Sequence, residues 1–516
     1  MLSRFRWLIS TTIGVASLPL LVGCPALPAG DTDNSNANTN VNSNDNGGDP
    51  SGQIEEKTRH ELIFTEIIPE GFQATSDCLK CHSDEGLALL EGGHFTWGNV
   101  TDVVVGLEGQ VVGKINLINN FCIAVPSNEG RCTQCHPSFG WKNNTDPGFF
   151  ENINNIDCLV CHDTTGLYQK HPSANGGGGP PALKIEGEVT VVTPADLQDI
   201  VYNVGKPTRR NCGFCHFNAG GGDNVKHGDM GSSLADATRE MDFHMGELDF
   251  SCQTCHQMSN HGISGMMTHS LDEGGASPRC ERCHGETDVH TANPELDSAL
   301  NFHLDRVACE TCHLPAFSRT QATKVEWYWD EAGQDIDPIP LDEFGKPTYD
   351  KLKGRFVWGM NVRPAYHWDN GKWDRKVINL NDTYTEEGTE EDPIILAAPT
   401  ATAADADAKV YPFKRMIGRQ PVDPVNKRMV VPHLFGTGTG LANPYWSKFD
   451  WGLAIAEGTA YAGQEYSGTY AFANTAMYYR VSHEIPPAAS ALMCGDCHGN
   501  ADFWAQLGIE DPFPDN

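Results

Sequence analysis

The segment NCGFCHFNAGGGDNVKHGDM, residues 211–230, decides how the rest of the chain is read. It opens on C-x-x-C-H, in which two thiols three residues apart add to the two vinyl groups of one porphyrin and the next histidine ligates its iron. The same pattern recurs as Cys78-Cys81-His82, Cys132-Cys135-His136, Cys158-Cys161-His162, Cys212-Cys215-His216, Cys252-Cys255-His256, Cys280-Cys283-His284, Cys309-Cys312-His313 and Cys494-Cys497-His498. A zinc ribbon or redox dithiol has no use for a histidine after every second cysteine, so the motifs specify eight covalent c-type haems with iron.

Eight porphyrins change the folding problem, because they supply apolar surface that side chains supply elsewhere. Only 39% of the residues are hydrophobic and 53 are glycine, which suits a core built around haem. The expected fold is a multihaem cytochrome c, mainly α with much irregular coil, as one domain over 56–516. The motifs are spaced 54, 26, 54, 40, 28, 29 and 185 residues apart, too irregular for a tandem array. The last interval is a haem-poor, aromatic-rich excursion, about 314–480. Stretches such as KVEWYWDEAG predict short β-hairpins there, with the aromatics serving mainly as packing.

Two cysteines lie outside the motifs. Cys24 ends MLSRFRWLISTTIGVASLPLLVGC, in which arginines, an apolar run and LVGC form a lipoprotein signal peptide over 1–23. Lipidated Cys24 then begins a flexible polar linker, 24–55. No later run approaches the roughly 18 apolar residues of a membrane span. The protein is therefore expected outside the cytoplasm, on the periplasmic or cell-envelope face of a bacterial membrane, held only by lipid. A formal charge of −32, without a basic stripe, excludes nucleic-acid binding and favours redox partners with basic surface, a cytochrome or a quinol-oxidising membrane protein.

Each iron needs a second axial ligand or an open face. Twelve histidines lie outside the motifs. His94, His227, His244, His261, His290, His303 and His483 fall among the haem motifs and rank first. His60, His367 and His433 lie outside that density, and His171 and His269 sit in proline- or glycine-flanked loops. Seven good candidates for eight irons leave one iron wanting a different ligand. A neutral, buried lysine can serve, from Lys142, Lys170 or Lys226.

RCTQCHPSFGWK, CLVCHDTTGLYQKHP, CGFCHFNAGGGDNVKHGDM, VACETCHLPAFSR and SHEIPPAASALMCGDCH, in this order, resemble the octahaem tetrathionate reductase family of periplasmic multihaem cytochromes c, over essentially all of residues 56–516. The resemblance implies a catalytic second haem, on Cys132, Cys135 and His136, with lysine as its sixth ligand. It matches Asn119 with Cys122, and Asp223 with Lys226, to the family's active-site pattern, which puts Lys226 ahead of Lys142 and Lys170. In the mechanism that follows, Cys122 exchanges sulfur with substrate, Asn119 hydrogen-bonds the anion and Asp223 handles a proton. The implied substrate is a small sulfur or nitrogen oxyanion: tetrathionate, with nitrite or hydroxylamine as further possibilities. Because the acidic chain repels anions at long range, local cations must compensate; Lys226, Arg209 and Arg210 are the candidates. Two alternatives stay open: an electron conduit with every haem bis-histidine ligated, and a hydroxylamine-oxidising octahaem enzyme.

Overall fold

The computed structural model describes residues 58–139, 141, 148–170, 181–185, 188–263, 278–436 and 440–512. The leader, Cys24, the linker, Lys142, His171 and His269 lie outside the described residues.

The motifs sit on single helical turns because C-x-x-C places two thiols on one helix face. Glu129–Cys132, Leu159–His162, Arg209–His216, Cys252–Cys255, Glu281–His284, Cys309–His313 and Cys494–Cys497 each carry one or both cysteines of a motif. Arg209–His216 starts at a capping box: Thr208 Oγ1 accepts from Asn211 N and Asn211 Oδ1 accepts from Thr208 N at 2.8 Å. Between these turns the chain is largely irregular, and the motifs surround a continuous cavity of about 4460 Å³. That far exceeds the roughly 300–1,000 Å³ of a single small-molecule site and suits an array of porphyrins.

The helices, coil and strands expected are present, but the haem-poor excursion is built on a larger scale. In place of isolated hairpins it forms a nine-stranded sheet from β1 (Thr323–Tyr328), β2 (Tyr349–Asp350), β3 (Gly354–Gly359), β4 (Ala365–Asp369), β5 (Trp373–Arg375), β6 (Ile394–Pro399), β7 (Lys409–Asp423), β8 (Arg428–Met429) and β9 (Ala471–Arg480). The order is β5-β6-β9-β7-β1-β3-β2, with β4 and β8 also pairing β7. β6 lies parallel to β9 and β1 parallel to β7; the other pairs are antiparallel. Local alternation hid this sheet because the face of β7 that is buried throughout carries Pro412, Lys414, Gly418 and Gln420 beside Val410, Met416 and Val422, so its in-out period is not written as apolar against polar residues.

The sheet carries its own aromatic core. Trp327 and Trp329 stack with centroids 5.1 Å apart, Phe356 meets Trp327 edge-on, and Tyr445 stacks on Trp451 at 3.8 Å. It also braces the loop 119–123. Trp329 Nε1 donates to Phe121 O at 3.1 Å, Gln420 Nε2 to Asn119 O at 2.7 Å, and Asn120 Nδ2 to Met416 O at 2.6 Å. Lys414, buried on the same face of β7 as Gln420, donates to Val225 O and Thr323 Oγ1, both at 2.7 Å. The sheet thus fixes two loops facing the haem cavity, one bearing Cys122 and one bearing Lys226.

Trp329→Ala removes a fully buried indole and the bond to Phe121, so it should cost about 3–5 kcal/mol and loosen the 119–123 loop. Thermal unfolding of the haem-loaded protein measures the loss; a melting temperature equal to wild type would contradict this account of the loop's support.

Candidate haem sites and catalytic pocket

Two imidazoles, each about 2 Å from a shared metal with the ring radius added on both sides, have centroids roughly 6 Å apart. Seven motif histidines face a second histidine at that distance. His82 pairs with His60 at 6.4 Å, His162 with His261 at 6.1 Å, His216 with His94 at 6.2 Å and His256 with His483 at 6.2 Å. His284 pairs with His244 at 6.1 Å, His313 with His290 at 6.3 Å and His498 with His303 at 6.1 Å. The residues present therefore fit haem: a porphyrin with its iron between each pair would fill the cavity beside its two cysteines.

His60 and His227 exchange roles relative to the sequence reading. His60, on the helix Arg59–Ile67, stands opposite the first motif histidine; that helix packs against Gln198–Tyr202, which carries it into the haem array. His227 faces no motif histidine among the described contacts; its ring lies against Tyr479 at 5.8 Å. Position along the chain misled here, since packing brought a helix from outside the motif cluster back onto it.

The second site differs. His136 is fully buried in a box of Phe95, Trp97 and Trp141, with ring centroids 5.0, 5.0 and 5.1 Å away. Its Nδ1 hydrogen-bonds Ser138 Oγ at 2.5 Å and its Nε2 hydrogen-bonds Phe95 O. Both ring nitrogens are engaged and the ring does not line the haem cavity, a correction to its expected role as iron ligand. Desolvation holds it neutral. Beside it Lys170, 2% exposed, lines the cavity and donates from Nζ to Ser138 O at 2.7 Å; burial lowers its pKa against the pull of Asp157. The legible signal was the period of two in LYQKHP, which buries Tyr168 and Lys170 together.

Asn119, Cys122 and Lys226 also line the cavity. Gly220 and Gly221, at φ of 82° and 88°, let the chain turn under Cys122, whose Sγ lies 4.0 Å from Gly220 O. Burial raises the Cys122 thiol despite Lys353, Lys324 and Lys114 nearby. Lys226 is pushed down to about 7, first by burial and then by Lys114 and Arg375.

Two expected roles change. The Asp223 carboxylate accepts from Ser232 N at 2.8 Å, Ser232 Oγ and Gln321 Nε2 at 2.6 Å, and lies off the cavity; it braces the glycine loop rather than serving substrate. Asn119 Oδ1 accepts from Phe121 N and Cys122 N while Nδ2 donates to Ile123 O, so the side chain shapes its own loop. Arg209 is spent on Phe250 O, Met245 O and Asp249, and Arg210 pairs with Asp236 on the surface. The compensating cations nearest Lys226 are instead Lys114 and Arg375, which sequence reasoning missed. In WDRKV the inward period of two, Trp373 then Arg375, was the available sign of a buried arginine.

Thiols of different motifs approach one another, which orders the sites. Cys78 with Cys158, Cys135 with Cys215, Cys212 with Cys252 and Cys280 with Cys309 are within hydrogen-bonding reach. Cys161 with Cys212, Cys255 with Cys283, and Cys312 with Cys494 are electrostatic neighbours. The attachment points therefore run first, third, fourth, fifth, sixth, seventh, eighth, with the second branching from the fourth.

Fold and sites define a multihaem c-type cytochrome. A family model described as bacterial cytochrome c matches residues 324–501. The structure is similar to that of an octahaem cytochrome c from Shewanella oneidensis, with a TM-score of 0.74 and 37% sequence identity, covering 87% of this chain and 97% of the other. An uncharacterised protein of Archaeoglobus fulgidus is 21% identical over 44% of this chain and 86% of its own length. This chain belongs to the octahaem cytochromes c, with covalent c-type haems and a redox, electron-transferring function. Among the described residues no helix is long and apolar enough to cross a membrane.

His60→Gly should convert one of the eight haems from low-spin to high-spin, and His227→Gly should convert none, as read by electron paramagnetic resonance of the oxidised protein. A high-spin haem gained by His227→Gly and none by His60→Gly would reverse the assignment.

Proposed function

We propose that this octahaem cytochrome reduces a small sulfur or nitrogen oxyanion, tetrathionate foremost, at its second haem site. One observation carries the reading: seven motif histidines face a partner imidazole, whereas His136 is walled off with both nitrogens hydrogen-bonded. A pure conduit would need an eighth imidazole pair, and the described residues offer none around His136.

In this reading Lys170 takes the place of His136 as the protein ligand of the second iron. Burial favours the neutral amine that ligation requires. When bound, the haems supply one-electron storage and transfer, and at the second site an open coordination face. Lys226 then serves on the substrate side as a cation and proton carrier, rather than as the sixth ligand. Reducing tetrathionate breaks its central S–S bond with two electrons, gives two thiosulfates and consumes no proton. The chain must therefore hold growing negative charge, and Lys226, Lys114 and Arg375 are the groups placed for it. Nitrite reduction to ammonium takes six electrons and eight protons, for which Lys226, near neutrality, is a suitable relay. Cys122, kept as a thiol by burial, lies where an S–S substrate would contact it. The branch from the fourth attachment site supports feeding of the second site from the main array. We further place the chain outside the cytoplasm on a lipid at Cys24, receiving electrons from a cytochrome or a quinol-oxidising membrane protein.

Lys170→Met should lower tetrathionate and nitrite turnover by about a hundredfold or more, while dithionite still reduces the seven low-spin haems. His136→Phe should leave the ligation of the second haem unchanged in its spectrum; full activity in Lys170→Met would remove Lys170 from the proposal. The Lys226 ammonium is present below about pH 7 and lost above it. KM for tetrathionate should thus rise as pH increases from 6 to 8, and Lys226→Met should flatten that rise.

A further inference from the structure

Arg375 closes β5, and its side chain is completely buried. Its Nε, Nη1 and Nη2 have no hydrogen-bond partner in the protein, yet the side chain lines the haem cavity. The guanidinium is an electrostatic neighbour of Lys226, Tyr479 and Asp374; Tyr479 is in turn a neighbour of Cys122, and Cys122 of Cys132 in the second motif, which puts it beside the second site. The other arginine of this wall, Arg480, is already paired with Asp369. Asp374 precedes Arg375 on the strand and acts on it through space, but its Oδ1 accepts from Asn381 Nδ2 at 3.3 Å and it makes no hydrogen bond to the guanidinium.

A buried, unpaired guanidinium is one of the least favourable arrangements a fold can keep, and its usual resolution is an anion. Five N–H donors in a rigid fork match two oxygens of a single oxyanion. The backbone that carries the side chain is also held in place. Arg375 pairs with Ala397 in the β5–β6 ladder, its carbonyl accepts from Asn381 Nδ2 at 2.9 Å, and Trp373 packs beside it in the core. The strand therefore has little backbone freedom left to lose on binding.

We propose that Arg375 is the oxyanion clamp of the second haem pocket, its guanidinium receiving two oxygens of one end of the substrate anion beside Lys226. This rests on the reading of that site as an oxyanion reductase and adds its specificity-determining residue. Substrates presenting an –SO3 or –NO2 group fit the fork; neutral hydroxylamine does not, and gains nothing from it. An oxygen-bearing anion is also available from a porphyrin carboxylate, and the experiment separates the two sources.

The test uses the full haem-loaded chain with R375Q and R375K, each first checked for eight haems. Sulfite and nitrite are titrated against the spectrum of the second haem, KM and kcat are measured for tetrathionate, nitrite and hydroxylamine, and the second haem's midpoint potential is determined. The clamp predicts that R375Q weakens sulfite and nitrite binding about tenfold or more, with R375K between it and wild type. KM for the two anions rises while KM for hydroxylamine stays at its wild-type value, and the midpoint potential falls in R375Q, which has lost a buried cation, but not in R375K. R375K carries the test if R375Q does not mature. Unchanged sulfite and nitrite affinity in both variants overturns the proposal, as does a shifted midpoint with unchanged affinity, the signature of a porphyrin-carboxylate partner. If the wild type itself neither binds nor reduces these anions, the reductase reading falls and the clamp with it.

Discussion

An iron held between two imidazoles requires two histidines to face one another across about 6 Å, and seven such pairs arrange most of this molecule. The partners come from distant parts of the chain: His256 is met by His483 from beyond the sheet, and His498 by His303 from before it. Each pair thus acts as a long-range tie in a chain with few long helices. The short helical turns and abundant coil follow from this, since a segment needs only to present two thiols and an imidazole to a porphyrin.

The nine-stranded sheet does what the haem ties cannot. Porphyrins fix their own ligands but give no rigid wall to the part of the cavity beside the second motif. Trp329, Gln420 and Met416 anchor the loop bearing Cys122, Lys414 anchors the loop bearing Lys226, and β5 holds Arg375. The pocket is therefore assembled by an element that contains no haem motif. The long haem-poor interval thus packs directly against loops that line the haem cavity.

Charge is distributed to the same end. The chain is strongly acidic overall, yet the electrostatic neighbours that depress Lys226 are both cations, and Arg375 shares their pocket without an ion-pair partner. In the proposed reductase, a local positive field inside a negative molecule is what would favour anions that reach the pocket.

The eight motifs stated the cofactor, the number of irons and the attachment cysteines outright, because haem attachment is a local chemistry written in five consecutive residues. Six of the seven histidines ranked by position face a motif histidine, since those segments lie beside the haems they serve. What sequence could not supply was anything that depends on which segments meet: His60 folding back over the first site, His136 turning into an aromatic box while Lys170 lines the cavity, Asp223 bracing a loop, and Arg375 arriving from a strand far along the chain. Ligation by distant side chains and burial of a charge are tertiary events, decided by packing between elements rather than by the spacing of residues within one.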